Sequence, residues 1–453
     1  MTERHDGGVG MSPAQHRATL SAIVLLIVAL SAVIYTGVDA GHGRGDDALA
    51  APRAAHNPAA PVSTGVWVGT WAAAPVGGEP LTDGDGMAGR TVRNVVHTSV
   101  GGTSARITLS NLYGTRPLTV TAATIALAAG DDNPAAAAGT LRRLTFGGTP
   151  AVTVPPGGQA VSDAVALAVP ADSDVLVSTY APDSSGPVTY HRHARQTSYV
   201  ADGEHTEDLT GGPYTGHSTA WRYLTALDVL SNEADGTVVA FGDSLTDGVT
   251  STPGANRRWP DVLADRLRAA VASGADAPRH GVVNAGISGN QVLADGRGRP
   301  ADNPSGLKRF ERDVLGRPNV KVVVIALGVN DILRNRALAD PDAVVAGLRT
   351  LVDRAHARGV KVVGATLMPF RGHRGYTEPR EDVRRRINEA IRSGTVFDEV
   401  ADLDKALRDP YDPRRLRSDY DSGDSLHPSD RGYRRMAEAV DLAELEGSGP
   451  ARL

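Results

Sequence analysis

Apolar and polar positions along the chain alternate in two different ways. From Gly65 to Leu230 the apolar positions come in short runs such as "VRNVVHTSV", "SARITLSNLY", "LTVTAATIAL", "AVTVPPG" and "SDVLVSTYA". The runs are rich in Val, Ile and Thr, and Gly, Pro and Asp separate them at hairpin-like intervals, the pattern of antiparallel strands. No helical period interrupts them. An all-β sandwich or jelly-roll-like domain is predicted over 65–230. From Thr237 onward the pattern changes. "GTVVAFG", "HGVVNAGI", "VKVVVIALG", "VKVVGATLM" and "FDEVADLD" are strand-like, and stretches of helical period lie between them. In "DPDAVVAGLRTLVDRAHARG", Asp340 is placed to cap a helix and Pro341 to begin it. Val344, Val345, Leu348, Leu351, Val352 and Ala355 fall on one face, and Gly359 follows the end. "RWPDVLADRLRAAV" repeats the pattern with Trp259, Val262, Leu263, Leu267 and Val271. Strands alternating with helices imply right-handed βαβ units and a parallel sheet covered on both faces, an α/β domain over 236–446.

The N-terminus has a third texture. Leu20 to Val38 carries no charged residue over 19 positions, long enough to cross a bilayer as a helix. Arg4 and Arg17 precede it, and Val38-Asp39-Ala40 offers small residues for cleavage after Ala40. The expected organisation is a tail over 1–19, a signal peptide or transmembrane anchor over 20–38 and a flexible Gly/Ala-rich linker over 39–64. An extracellular location, secreted or membrane-anchored, follows as an expectation.

Composition narrows the chemistry. The hydrophobic content of 41% and charged content of 22% are ordinary for a globular protein. A net charge of −5 gives no basic stripe for nucleic acid. The basic residues of "RRRINEAIR", from Arg384, are interleaved with Glu381, Asp382 and Glu389 and read as a solvated helix face. The absence of cysteine excludes disulfides, thiolate metal sites and cysteine nucleophiles.

Ligands of doubly wound α/β domains sit beyond the carboxyl ends of the strands. Four polar clusters stand at such places: "GDSLTDG" around Ser244, "NAGISGNQ" around Gly289, "GVND" at Gly328 to Asp331, and "DSLHPSDRGY" from Asp424. Singly, each has a plain structural use, since a serine after a strand is commonly a turn or cap residue and DxxH before a helix commonly a cap. Together they supply what acyl transfer at a serine needs: a hydroxyl, a base, a group to orient the base, and donors for an oxyanion. Ser244 is the candidate nucleophile, His427 the base and Asp424 its orienter. The Ser244 N–H, the Gly289 N–H and the Asn330 amide are candidate oxyanion donors. Asp243 is expected to secure its loop by accepting backbone N–H groups.

These four blocks resemble the SGNH (GDSL-type) hydrolase family over about Thr237 to Val440. Gly242-Asp243-Ser244-Leu245 is similar to the first family block, Gly289 to the second, Gly328-Val329-Asn330-Asp331 to the third and Asp424-Ser425-Leu426-His427 to the last. The resemblance implies a flavodoxin-like five-stranded parallel sheet and hydrolysis of carboxylic esters without a metal or other cofactor. It implies the same roles for Ser244, His427, Asp424, Gly289 and Asn330. The upstream β region resembles the N-terminal β domain of secreted bacterial arylesterase/acylhydrolase members. The expected partner is a small-molecule, glycan or lipid acyl ester, with membrane contact only through an uncleaved N-terminal segment.

Two other functions stay open on the sequence. The same site serves acyl transfer to an alcohol, and the β region is a candidate surface- or carbohydrate-binding module. Trp67, Trp71 and Trp221 are its possible stacking platforms, unless they pack a core. Three weaker motifs are set aside. "GHSTA" at Gly216 lacks the strand-turn-helix setting of a nucleophile elbow. His191 and His193 share a strand face but have no evident third metal ligand. "GRGRPADNPSGLKRF" lacks the G-K-[ST] ending of a phosphate loop. Thr250–Trp259 and Met368–Pro379 are the loops expected to wall the pocket.

Overall fold

The computed structural model describes residues 65–298 and 302–447. The predicted tail, signal or anchor segment and linker over 1–64 lie outside the described residues. Among the described residues no helix is long and apolar enough to cross a membrane.

The β-rich N-terminal region forms two main antiparallel sheets. One runs in the order Val66–Ala72, Leu224–Ser231, Gly102–Ser110, Val165–Val169. The other runs Gly216–Ser218, Ser198–Asp202, Arg90–His97, Asp174–Ala181, Ala122–Leu127, Arg142–Arg143. Val68, Ile107 and Leu227 of the first sheet and Val96, Ile125 and Val177 of the second belong to a single hydrophobic cluster. The two sheets therefore face each other as a sandwich. Trp71 and Trp221 are buried in this core with ring centroids 4.8 Å apart, and the Trp221 indole N–H donates to the Val95 carbonyl. They pack the core and offer no stacking face. Trp67 is half-buried under the Arg106 guanidinium.

The α/β region follows after Asn232 to Asp235. Its main elements are β1 (Gly236–Gly242), α1 (Ser244–Asp247), α2 (Trp259–Ala272), β2 (His280–Gly286), β3 (Val320–Ala326), α3 (Val329–Leu333), α4 (Pro341–His356), β4 (Lys361–Ala365), α5 (Glu378–Arg392), β5 (Glu399–Ala401) and α6 (Asp430–Glu438), with short helices at Gly306–Phe310 and Leu403–Leu407. The five parallel strands pair in the order β2-β1-β3-β4-β5, the 2-1-3-4-5 order of the flavodoxin-like fold. β1 is flanked by β2 and β3 and buried along its whole length, which explains its unbroken apolar run from Val238 to Phe241. The α4 prediction holds: Asp340 accepts the Asp342 N–H at 3.0 Å, Pro341 is the first helical residue, and all six residues of the apolar face are buried. In α2, Val271 is 37% exposed and lies at the edge of the stripe expected to be buried. The basic run of α5 is not uniformly solvated. Arg384 is buried and pairs with Glu381 and Asp404, because the helix turns this arginine toward the Leu367 carbonyl.

The described residues form one compact unit. Ala72 of the β region is part of the α/β core cluster, and the Gly69 N–H donates to Thr237 Oγ1 at 2.9 Å. The carboxyl ends of β1, β2 and β3 open on one edge of the sheet, which carries the first three polar blocks.

Candidate active site

Ser244 is the first residue of α1, directly beyond β1. The chain can turn there because Gly242 has no Cβ; one would lie 2.1 Å from Thr246 Oγ1 and 2.6 Å from the Ala326 carbonyl. Asp243 caps α1, its Oδ1 accepting the Leu245 N–H at 3.0 Å. The cap is thus the aspartate, and the Ser244 hydroxyl is left for another partner. That partner is His427, whose Nε2 lies 2.9 Å from Ser244 Oγ. His427 Nδ1 lies 2.6 Å from Asp424 Oδ2, while Asp424 Oδ1 accepts the His427 and Leu426 backbone N–H groups at 2.8 and 3.0 Å. Burial pushes the Asp424 carboxyl up, but the imidazole hydrogen bond, those backbone donors and the imidazole charge outweigh it and hold Asp424 below the ordinary carboxylate range. The loop carrying His427 is fixed from both sides. Ser429 caps α6, and Thr250 Oγ1 donates to the Pro428 carbonyl at 2.8 Å. Thr252 binds both Asp430 carboxylate oxygens through its N–H and hydroxyl.

The candidate oxyanion donors converge on the same cavity. The Ser244 N–H is one of the first-turn donors that a helix leaves unpartnered. Gly289 has φ +79°, a conformation that L side chains rarely adopt, and a Cβ there would meet the Arg334 guanidinium at 2.1 Å. Asn330, on α3 beyond β3, gives one amide hydrogen to Asp243 Oδ2 at 3.2 Å. A primary amide has two such hydrogens, so one remains for a ligand. Burial, with the nearby Asp331 charge adding to it, raises the Asp243 carboxyl to about 7. Burial likewise raises Asp331 to about 6; its two oxygens accept the Val292 and Leu293 N–H groups and tie the loop beyond β2 to α3.

Ser244, Gly289, Asn330 and His427 line one cavity of about 380 Å³. Of the two expected wall loops, Met368–Pro379 contributes His373, Arg374 and Gly375. Thr250–Trp259 does not line it; that segment instead clamps the His427 loop through Thr250 and Thr252. The Gly216–Ala220 motif is no elbow: Ser218 ends a short strand and its hydroxyl bonds the Ala220 backbone.

A contribution from the β region went unforeseen. His191 is not half of a metal pair. Its Nδ1 bonds the Ala74 carbonyl at 2.8 Å and its Nε2 lies 3.0 Å from Asp247 Oδ1, with both side chains buried. Asp247 Oδ2 in turn accepts the Ser288 N–H at 3.0 Å and the Ser288 hydroxyl. The β region thereby braces the residue next to Gly289. Burial opposes the imidazolium, but the Asp247 charge and hydrogen bond raise His191. Burial likewise opposes the Asp247 carboxylate, yet His191 and Ser288 lower it. His193 is half-buried and lines the cavity that holds Ser244. No group of three or more metal-ligating side chains occurs among the described residues. The distance along the chain between His191 and Asp247 left no local signal for this pairing.

Residues 240–435 match the GDSL-like lipase/acylhydrolase family. No curated protein matches the chain. Among solved structures it is similar to an acetylxylan esterase from Geobacillus stearothermophilus, at 22% identity over 47% of this chain and 94% of that one, with a TM-score of 0.34. A carbohydrate acetylesterase from Sinorhizobium meliloti matches at 18% identity over 45% and 95%, also with a TM-score of 0.34. A GDSL-like lipase from Bacteroides thetaiotaomicron matches at 19% over 46% and 88%, with a TM-score of 0.33.

Proposed function

We propose that the protein is an ester-hydrolysing enzyme whose residues 240–435, which match the GDSL-like lipase/acylhydrolase family, cleave carboxylic esters through a Ser244–His427–Asp424 triad and an acyl-enzyme. The observation that supports this reading is the unbroken hydrogen-bonded line from Ser244 Oγ through both ring nitrogens of His427 to Asp424. Ser244 Oγ attacks the acyl carbon while His427 Nε2 takes its proton. The oxyanion that forms is met by the Ser244 and Gly289 N–H groups and the second Asn330 amide hydrogen. The C–O bond then breaks, and His427 returns the proton to the departing alcohol. Water, deprotonated by the same imidazole, attacks the acyl-serine; the C–O bond to Ser244 breaks, His427 returns the proton to Ser244 Oγ, and the carboxylic acid leaves. Asp424 keeps the imidazole proton on Nδ1, so Nε2 faces the serine as an acceptor.

Short p-nitrophenyl acyl esters test the reading. Ser244→Ala should lose roughly 10⁴–10⁶-fold in kcat, within the range set by removal of a serine nucleophile. Turnover at the wild-type rate would remove Ser244 from the mechanism. We also propose export, on the strength of the uncharged Leu20–Val38 segment. Expression of the full chain in a bacterial host should put esterase activity outside the cytoplasm. Cleavage is read as a mature N-terminus at Gly41, and an anchor as activity that sediments with membranes.

A further inference from the structure

Beside the cavity that holds Ser244 lies a second one of about 350 Å³, lined by both the β region and the α/β region. His193, Ser288 and Arg334 line both cavities, so the two share a wall at the residue next to Gly289. The chemistry of the shared rim is cationic. The Arg334 guanidinium rests against Gly289. Arg374 lines the first cavity and Arg192 the second. None of these three guanidiniums has an ion-pair or hydrogen-bond partner among the described residues. In the cavity beside α5, by contrast, Arg384 and Arg392 pair with Glu381, Asp402 and Asp404. The acids near the rim are mostly engaged. Asp247 is paired with His191, which leaves Asp302 and the His427-bound Asp424 against three arginines. The chain as a whole carries a net charge of −5, so this local excess runs against the general charge. A guanidinium is a rigid fork of donors that matches a carboxylate or a phosphate, and its positive charge is most effective in a cleft that focuses the field.

We propose that the paired cavities form an anion subsite, and that the preferred substrate is an acyl ester bearing a carboxylate or phosphate on the part that does not react. This rests on the esterase reading above. The ester carbonyl sits at Ser244, and the anionic group reaches Arg334 together with Arg374 on one side or Arg192 on the other. Arg334 acts in substrate positioning and specificity. It also covers the glycine that donates to the oxyanion, so an anion held there places the acyl carbon against Ser244.

The test compares matched esters that differ in charge. On the acyl side, p-nitrophenyl hydrogen adipate is set against p-nitrophenyl hexanoate. On the alcohol side, 4-acetoxybenzoate is set against 4-acetoxybenzamide. At low ionic strength kcat/KM should favour the anionic member of at least one pair by about tenfold, the lower end of what a focused charged cleft contributes. The pair that responds identifies the side of the ester that carries the anion. The preference should arise in KM and shrink toward one in about 0.5 M salt, where the screening length falls to a few ångströms. Arg334→Gln, Arg374→Gln and Arg192→Gln are scored by the same ratio measured within each variant, so a general loss of fold or rate cancels. At least Arg334→Gln should bring the ratio close to one, and Arg334→Glu should invert it. Equal or better turnover of the neutral esters in both pairs overturns the proposal, as does a ratio unchanged in all three variants. Either result would leave Ser244→Ala inactive and the esterase reading intact. Ser244→Ala turning over as fast as wild type overturns both.

Discussion

Two aspartates near the candidate nucleophile illustrate how position decides role. Asp243 is adjacent to Ser244 in sequence, but its carboxylate caps α1 and orients the Asn330 amide. Asp424 is distant in sequence, yet holds the imidazole. Substitution should separate them. Asp424→Asn is expected to lower kcat by about 10²–10⁴-fold, the contribution of a general base held in its productive tautomer. Asp243→Asn acts on stability through pH. Burial raises the Asp243 carboxyl to about 7, whereas an aspartate in an unfolded chain titrates near ~3.9. Between those values the folded protein holds a proton that the unfolded chain has released, so stability falls as pH rises from about 4 to 7. Asparagine cannot titrate. The thermal midpoint of Asp243→Asn should depend less steeply on pH across that window than that of the wild type. Equal slopes would mean that Asp243 is ionised in the folded protein throughout.

At the scale of elements, the ends of three strands must hold fixed relative positions for the four blocks to meet. Arg309 does much of this. Buried completely, it donates to the Gly242 carbonyl at the end of β1, to the Ala285 carbonyl near the end of β2, and to Asn290 Oδ1 in the loop beyond. Its plane lies 4.0 Å from the Phe241 ring, and Asp313 supplies the counter-charge at 3.1 Å. Burial lowers the guanidinium to about 10, which still leaves it charged at neutral pH. Arg309→Met removes the charge, takes from Asp313 one of its two arginine partners and takes a donor from each of three acceptors, and should cost about 3–5 kcal/mol. Arg309→Lys keeps the charge but not the fork, and should recover less than half of that loss in a denaturant titration. A methionine variant as stable as wild type would show that packing alone sets the strand ends. The strands and helices themselves were legible in sequence because their periods are local, as in Val344 to Ala355 of α4. The four blocks were legible because each directly follows a strand or precedes a helix. The Arg309 bridges were not, since they join positions 24 and 67 residues apart with no repeating pattern. Arg384 was misread for the same reason: its partner Asp404 lies 20 residues away, beyond the helix whose charge pattern suggested a solvated face.

For the whole molecule, the β region is part of the frame around the candidate site. The chain reads as two textures, and that reading invited the idea of a separable binding module. Nothing local in "TYHRHARQ" says that His191 will cross to Asp247 in the first polar block. What it accomplishes is to place a buried imidazole and carboxylate behind the loop that carries Gly289, with Ser288 as the link. His191→Phe keeps a ring against Trp221, whose centroid is 5.5 Å away, while leaving Asp247 without its counter-charge. Breaking one partner out of a buried pair costs about 3–5 kcal/mol. The pH dependence fixes the sign. Asp247 is lowered in the folded protein, so its share is present above the unfolded value near ~3.9 and is lost as pH falls through the lower folded value. His191 is raised, so its share is fully present below the unfolded value near ~6.5 and is lost as pH rises through the higher folded value. The gap in thermal midpoint between wild type and His191→Phe should therefore be widest between about pH 4 and 6.5 and should narrow toward pH 9. Because Asp247, which anchors Ser288, loses its own partner, kcat should fall in the same variant while Ser244, His427 and Asp424 are untouched. A gap that stays constant from pH 5 to 9, or a variant with full kcat, would reduce the β region to packing alone.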